Sequence, residues 1–176
     1  MIKNSFLKGI TSQINNIDNN KISELVKFLK KRKKNSTIFI AGNGASASIA
    51  SHVATDLSKS AGFRSITFNE SNLITCLSND YKYENWIKEA IKIYSKKNDI
   101  VILVSSSGMS KNIIEAAKYC KTKKIPLISL SGFSKKNILN KYGKFKFHVN
   151  SKNYNVVETC HLIILLNIVE KLLRIK

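Results

Sequence analysis

Two stretches of this chain combine permissive backbone with hydroxyl side chains in a way that suits a phosphate or a sugar oxygen. The first, Ala41-Gly42-Asn43-Gly44-Ala45-Ser46-Ala47-Ser48, follows a β-branched run and opens a helical one. Its glycines permit a tight turn and close backbone approach, and the start of the next helix offers unpaired amides to an anion. A bare Gly-x-Gly also serves structural turns, so this loop alone leaves both roles open. The second stretch is Ser105-Ser106-Ser107-Gly108-Met109-Ser110-Lys111, again between a strand-like run and a helix-like one. Helix capping would use one or two of its serines; all four hydroxyls, with helix-end amides, suit a phosphate monoester. No lysine-bearing Walker loop is present, which argues against nucleoside-triphosphate hydrolysis.

Loops of this kind need a sheet to hold them. Short β-branched runs fall at Ser36 to Ala41, Arg64 to Phe68, Ile100 to Val104, Pro126 to Leu130 and Phe145 to Val149. Helical patterns separate or follow them at Ala47 to Lys59, Tyr83 to Lys97, Lys111 to Lys123 and Val156 to Arg174. Strands alternating with helices predict an α/β fold, a doubly wound parallel five-stranded sheet flanked by helices. In such sheets ligands bind beyond the carboxyl ends of the strands, which is where both loops fall. Ahead of the sheet, two amphipathic helices are expected, one marked by Ile14 and Ile17 and the other by Ile22, Leu25, Val26, Phe28 and Leu29. The run Lys30 to Lys34 suits the negative end of the second helix.

With 176 residues there is room for one domain, a helical segment over 1–35 followed by an α/β sandwich over 36–176. A 43% hydrophobic content with one Pro and seven Gly excludes a disordered or collagen-like chain. No apolar run approaches the roughly 20 residues of a bilayer span. The first ten residues show no signal-peptide pattern, so a cytoplasmic protein is expected. Cys76, Cys120 and Cys160 are odd in number, widely spaced and set in apolar patterns, and read as buried free thiols. The net charge of +19 raises a nucleic-acid reading. Nearly all the basic residues are Lys, however, and no helix-turn-helix, zinc-finger or aromatic platform accompanies them, so attraction of small anionic substrates is the expected consequence. His148 reads as an ordinary strand residue. Trp86, with Tyr83, Ile87 and Ile91 at helical spacing, reads as core or interface.

Together the loops resemble those of the sugar isomerase (SIS) domain family, of phosphoheptose isomerase type. Ile40 to Asp56 is similar to that family's first loop and helix. Cys76-Leu77-Ser78-Asn79-Asp80 and Val104 to Ser110 are similar to its second and third substrate loops, and Asn153 to His161 to the start of its last helix. The resemblance implies a flavodoxin-like sandwich, a homotetramer with sites shared between subunits, and ketose-aldose isomerisation of sedoheptulose 7-phosphate to D-glycero-D-manno-heptose 7-phosphate for heptose and surface-glycan assembly.

Carried over to this chain, the resemblance implies that Asn43, Gly44, Ala45 and Ser46 line the sugar site with Asn79 and Asp80 beside them. Ser105, Ser106, Ser107 and Ser110 would hold the phosphate. His52 and Asp56, four apart on one helix, share a face and match acid-base or metal-binding positions, the carboxylate here being one methylene shorter than the family's usual glutamate. In the last helix the family usually has a glutamine and, eight residues on, a second histidine; this chain has Glu158 and Leu166. Leu cannot transfer a proton, and His161, three residues after Glu158, is the nearest substitute. Asp56 and Glu158 are thus the expected pair of proton-transferring carboxylates, with His52 and His161 assisting. Isomerisation requires no redox cofactor. A divalent metal such as zinc could polarise the carbonyl, with His52, Asp56 and Glu158 as its ligands. The competing reading is a non-catalytic SIS module that binds a sugar phosphate or a partner protein, as in family members that associate with a replication initiator, or an isomerase of another phosphosugar.

Overall fold

The computed structural model describes residues 5–174. Residues 1–4, where the expected helical segment and the signal-peptide reading begin, and residues 175 and 176 lie outside the described residues. The chain runs α1 (Ser5–Asn15), α2 (Asn19–Arg32), β1 (Thr37–Ala41), α3 (Ala45–Lys59), β2 (Arg64–Thr67), α4 (Ser71–Tyr81), α5 (Trp86–Tyr94), β3 (Ile100–Ser105), α6 (Lys111–Thr122), β4 (Leu127–Ser131), β5 (Phe145–His148) and α7 (Tyr154–Arg174). The five strands form one parallel sheet in the order β2-β1-β3-β4-β5. β1 therefore has β2 on one side and β3 on the other, and the winding reverses between β1 and β3. A crevice opens at such a switch point, beyond the strand ends.

Every residue of β1 and β3 is buried, because helices cover both faces of the sheet. On one face, Ile38, Ile40, Ile100, Ile102 and Val104 pack with α2, α3 and α7. On the other, Phe39, Ala41, Val101 and Leu103 pack with α4, α5 and α6 through Leu77, Trp86, Ile87, Ile91 and Ile113. At the far end of the sheet the buried Asp99 accepts the amides of Thr37 and Lys96, both at 2.6 Å, and so ties the start of β1 to the approach to β3. α1 lies along α7.

Three expectations change. α4 occupies a region read as a substrate loop. It buries only Leu77 and is capped by the Glu70 carboxylate, which accepts the amides of Asn72 and Leu73. The helix expected from Tyr83 to Lys97 spans only Trp86–Tyr94, so Trp86, Ile87 and Ile91 are core while Tyr83 precedes the helix and is exposed. Cys120 and Cys160 are buried, but Cys76 is exposed on α4, whose side chains mostly face outward. Burial pushes the Cys120 thiol up to about 12, which keeps it protonated and inert. Among the described residues no helix is long and apolar enough to cross a membrane.

Candidate active site

The glycine loop joins β1 to α3 at the switch point. Gly44 sits at φ +55°, in the left-handed region where L side chains are strained. Gly42 is required for a different reason: a Cβ there would lie 2.6 Å from the Ser46 backbone, so the first turn of α3 could not approach. Within the turn the Ser46 amide donates to Asn43 O at 3.0 Å and the Ala47 amide to Gly44 O at 2.9 Å. The Asn43 side chain faces Asn112 in the first turn of α6, each carboxamide donating to the other at 2.9 Å. The Tyr83 hydroxyl also donates to Asn43 Oδ1, at 3.4 Å.

The serine loop joins β3 to α6. Ser105 Oγ accepts the Gly108 amide at 3.2 Å and lies 3.4 Å from Ser110 Oγ. Ser107 Oγ accepts the Met109 amide at 3.2 Å. Ser110 occupies the N-cap of α6, yet its side chain makes no capping bond. Its hydroxyl therefore remains available at a helix end that favours negative charge. Gly108 has φ +63°, and a Cβ there would collide with the Asn137 side chain. Asn137 cannot withdraw, since it is buried and bonded to the carbonyls of Gly132 and Ser134 and to the Asn140 amide. Gly108→Ala is expected to destabilise the fold by about 1–3 kcal/mol through backbone strain and this collision, which urea unfolding would measure.

The two loops enclose a cleft of about 130 Å³. Asn43, Ser46 and the four serines form its walls, and Tyr154 and Glu158, from the first turns of α7, stand across from them. Ser106 Oγ donates to Glu158 Oε1 at 3.3 Å, placing a carboxylate beside the hydroxyl cluster. A larger hollow of about 480 Å³ lies by β5 and the α1–α2 turn, but neither loop reaches it. Chemistry, not size, marks the smaller cleft as the candidate site.

The remaining candidates lie elsewhere within the chain. His52 Nε2 and Asp56 Oδ2 are 3.4 Å apart on α3, as their spacing predicts, with the His52 side chain 57% exposed. At 1.5 Å of rise per residue they stand about 10 and 16 Å along α3 from its start at the cleft. Neither lines the cleft. Asn79 and Asp80 are exposed on α4, where they bond to each other at 3.0 Å, one turn before the Tyr83 that reaches Asn43. Among the described residues, no three His, Cys, Asp or Glu side chains gather to hold a metal. The expected set of His52, Asp56 and Glu158 does not fit an ion within one chain, because Glu158 is turned to Ser106 and the other two pair on α3.

His161 does not replace the missing histidine at the cleft. It is fully buried, with Nε2 donating to the Ser131 carbonyl at 3.1 Å and Nδ1 without a partner. Leu166 is partly buried and packs against the same core. Burial pushes the His161 pKa down to about 4, with a smaller contribution from His148; the bond to Ser131 opposes the shift. The folded-state value thus lies below the ordinary 6.5, and the unfolded chain binds the proton more readily. Stability from the neutral ring is complete above about pH 6.5 and is lost as pH falls toward 4, by up to about 3 kcal/mol. Urea unfolding at pH 7.5 and 4.5 should show this loss in the parent and a reduced one in His161→Leu.

Asn112, Tyr83 and Tyr154 were not legible as site residues. Tyr154 stacks edge-on against Phe133, with centroids 4.7 Å apart, at the start of α7. Only Asn112 left a trace, as a polar residue on the otherwise apolar inner face of α6.

Known proteins share the fold and part of the sequence. The SIS-domain profile matches residues 5–132. Phosphoheptose isomerase 2 of Campylobacter jejuni is 37% identical over 112 residues, 60% of this chain and 56% of that protein. The chain thus spans about half the length of the first curated relatives it matches. The phosphoheptose isomerase of Thermodesulfovibrio yellowstonii is 30% identical over 145 residues, 77% of this chain and 72% of that protein. In fold, the phosphoheptose isomerase of Neisseria gonorrhoeae superposes with a TM-score of 0.86 at 18% identity, over 95% of this chain and 94% of that one.

Proposed function

Because the chain belongs to the SIS-domain family, we propose that it is a phosphosugar isomerase interconverting ketose and aldose. Its proposed reaction turns sedoheptulose 7-phosphate into D-glycero-D-manno-heptose 7-phosphate, a step in heptose assembly for surface glycans, in the cytoplasm. The relatives named phosphoheptose isomerase support the choice of sugar. The observation that carries the reading is a cleft lined by the four serines and by Glu158, with Ser106 Oγ donating to the Glu158 carboxylate.

The phosphate binds at the serine loop and the amino end of α6, where hydroxyls and amides replace its hydration. Glu158 removes the proton from the hydroxyl-bearing carbon next to the carbonyl while the carbonyl oxygen gains a proton, giving an enediol; a proton then returns to the former carbonyl carbon as the neighbouring hydroxyl gives up its own, leaving the aldehyde. Electrons and atoms balance within the substrate. The whole chain acts as one SIS domain, and the excess of Lys over acidic residues draws the anionic sugar in.

His52 and Asp56 are too far along α3 to serve their own cleft. In a homotetramer, a neighbouring subunit's exposed pair supplies the second acid-base group, and the site is shared. Light scattering should give four chains per particle at micromolar concentration; a monomer there defeats the shared site.

The reaction itself is tested by incubating the protein with sedoheptulose 7-phosphate in heavy water and following proton NMR. Aldose product, with deuterium at the carbon next to the carbonyl, is expected. Neither product nor uptake would end the reading for this sugar.

A further inference from the structure

We infer that Asn112 is a positioning residue which, paired with Asn43, fixes the glycine loop relative to the serine loop and so sets the register of a bound phosphosugar against Glu158. The inference rests on the proposed isomerase reading and assigns a task to a residue that does not line the cleft. Asn112 is 2% exposed, and its carboxamide and that of Asn43 exchange two hydrogen bonds of 2.9 Å across 69 residues of sequence.

Both acceptors in this clasp are fully used. Asn112 Oδ1 also takes the Ile113 amide at 3.0 Å, and Asn43 Oδ1 also takes the Tyr83 hydroxyl at 3.4 Å. With two lone pairs on each carbonyl oxygen, only one Nδ2 hydrogen of Asn43 is left for a sugar. The Asn43 side chain is therefore chiefly a fastening. The loop needs one: next to it Gly44 adopts φ +55°, and nothing lies within 4 Å of where its Cβ would stand. The loop tip thus projects into open space, and the Asn43 side chain anchors it to α6. A displacement near 1 Å in such a site costs about 10²-fold in rate.

The test compares Asn112→Ala, Asn43→Ala and the double variant with the parent. Amide hydrogen exchange over residues 43–46 in the ligand-free protein should accelerate about tenfold in all three, while β3 is unchanged. Each single variant should lower kcat on sedoheptulose 7-phosphate by about 10- to 100-fold. The double variant should lose no more than the worse single, because the two residues act as one unit. Affinity for inorganic phosphate, read by calorimetry, should stay within about threefold, a split that general destabilisation would not give. Unchanged loop exchange overturns the clasp, and so do losses that multiply in the double variant or a kcat that holds while the loop loosens. If Asn112→Ala does not fold, Asn43→Ala alone decides by the same two readings. If the parent shows no turnover, the isomerase reading falls, and loop exchange alone supports or overturns the clasp.

Discussion

Glu158→Gln should lower kcat for isomerisation of sedoheptulose 7-phosphate by about 10²–10⁴-fold, the range for loss of a positioned general base. Glutamine keeps the length of the side chain and can still accept from Ser106, which Glu158 Oε1 meets at 3.3 Å. Substrate affinity should therefore change little, and removing a negative charge from the cleft proposed to take the phosphate should if anything tighten it. Deuterium uptake from heavy water reads the proton transfer directly. The result is informative in both directions, because resemblance to the family puts a glutamine at this position in relatives. If exchange is lost, this chain has placed its base on α7. If exchange persists in Glu158→Gln but is lost in Asp56→Asn, the base is the Asp56 carboxylate that pairs with His52, reaching the cleft from another subunit.

Replacing Ser107 and Ser110 together by Ala should weaken binding of the phosphosugar by about 10²–10⁴-fold. In the proposed site each hydroxyl would form one hydrogen bond to a dianionic phosphate, and bonds to charged groups contribute about 1.5–3 kcal/mol each. The pair accounts for about 3–6 kcal/mol, or two to four decades of affinity. The folded state has little to lose in exchange. Ser110 makes no capping bond to α6 and only a 3.4 Å contact with the Ser105 hydroxyl, and Ser107 receives a single amide, that of Met109. Calorimetric titration should show the loss of affinity while the unfolding midpoint moves by no more than a few degrees. Equal affinity in variant and parent would remove the serine loop from the phosphate site.

The sheet was legible because its chemistry is local. Strands buried on both faces must be continuously apolar, and β1 and β3 are buried throughout. Both loops were legible for a similar reason, since glycines at a tight turn and hydroxyls ahead of a helix leave marks within a few residues. α4 was not, because it presents almost no apolar stripe and is capped by Glu70, an uncommon capping residue. Its Asn79 and Asp80 consequently read as loop residues.

Spacing along a helix determined which side chains share a face, and it predicted the His52–Asp56 pair correctly. It did not determine what covers that face. Glu158 lies in the first turns of α7, where the helix passes the serine loop. His161, one turn further, is pressed against the end of β4 and bonded to Ser131. The same helical period thus carries one residue into the cleft and the next into the core. The Asn43–Asn112 clasp belongs wholly to the tertiary structure, since two carboxamides 69 residues apart meet only after β1 and β3 have paired. By itself the sequence determined the elements and the chemistry of the two loops, because propensity, apolar period and turn residues act over neighbours in the chain. The tertiary structure decided which carboxylate faces the hydroxyls and which histidine is buried, because those depend on packing between elements distant in sequence.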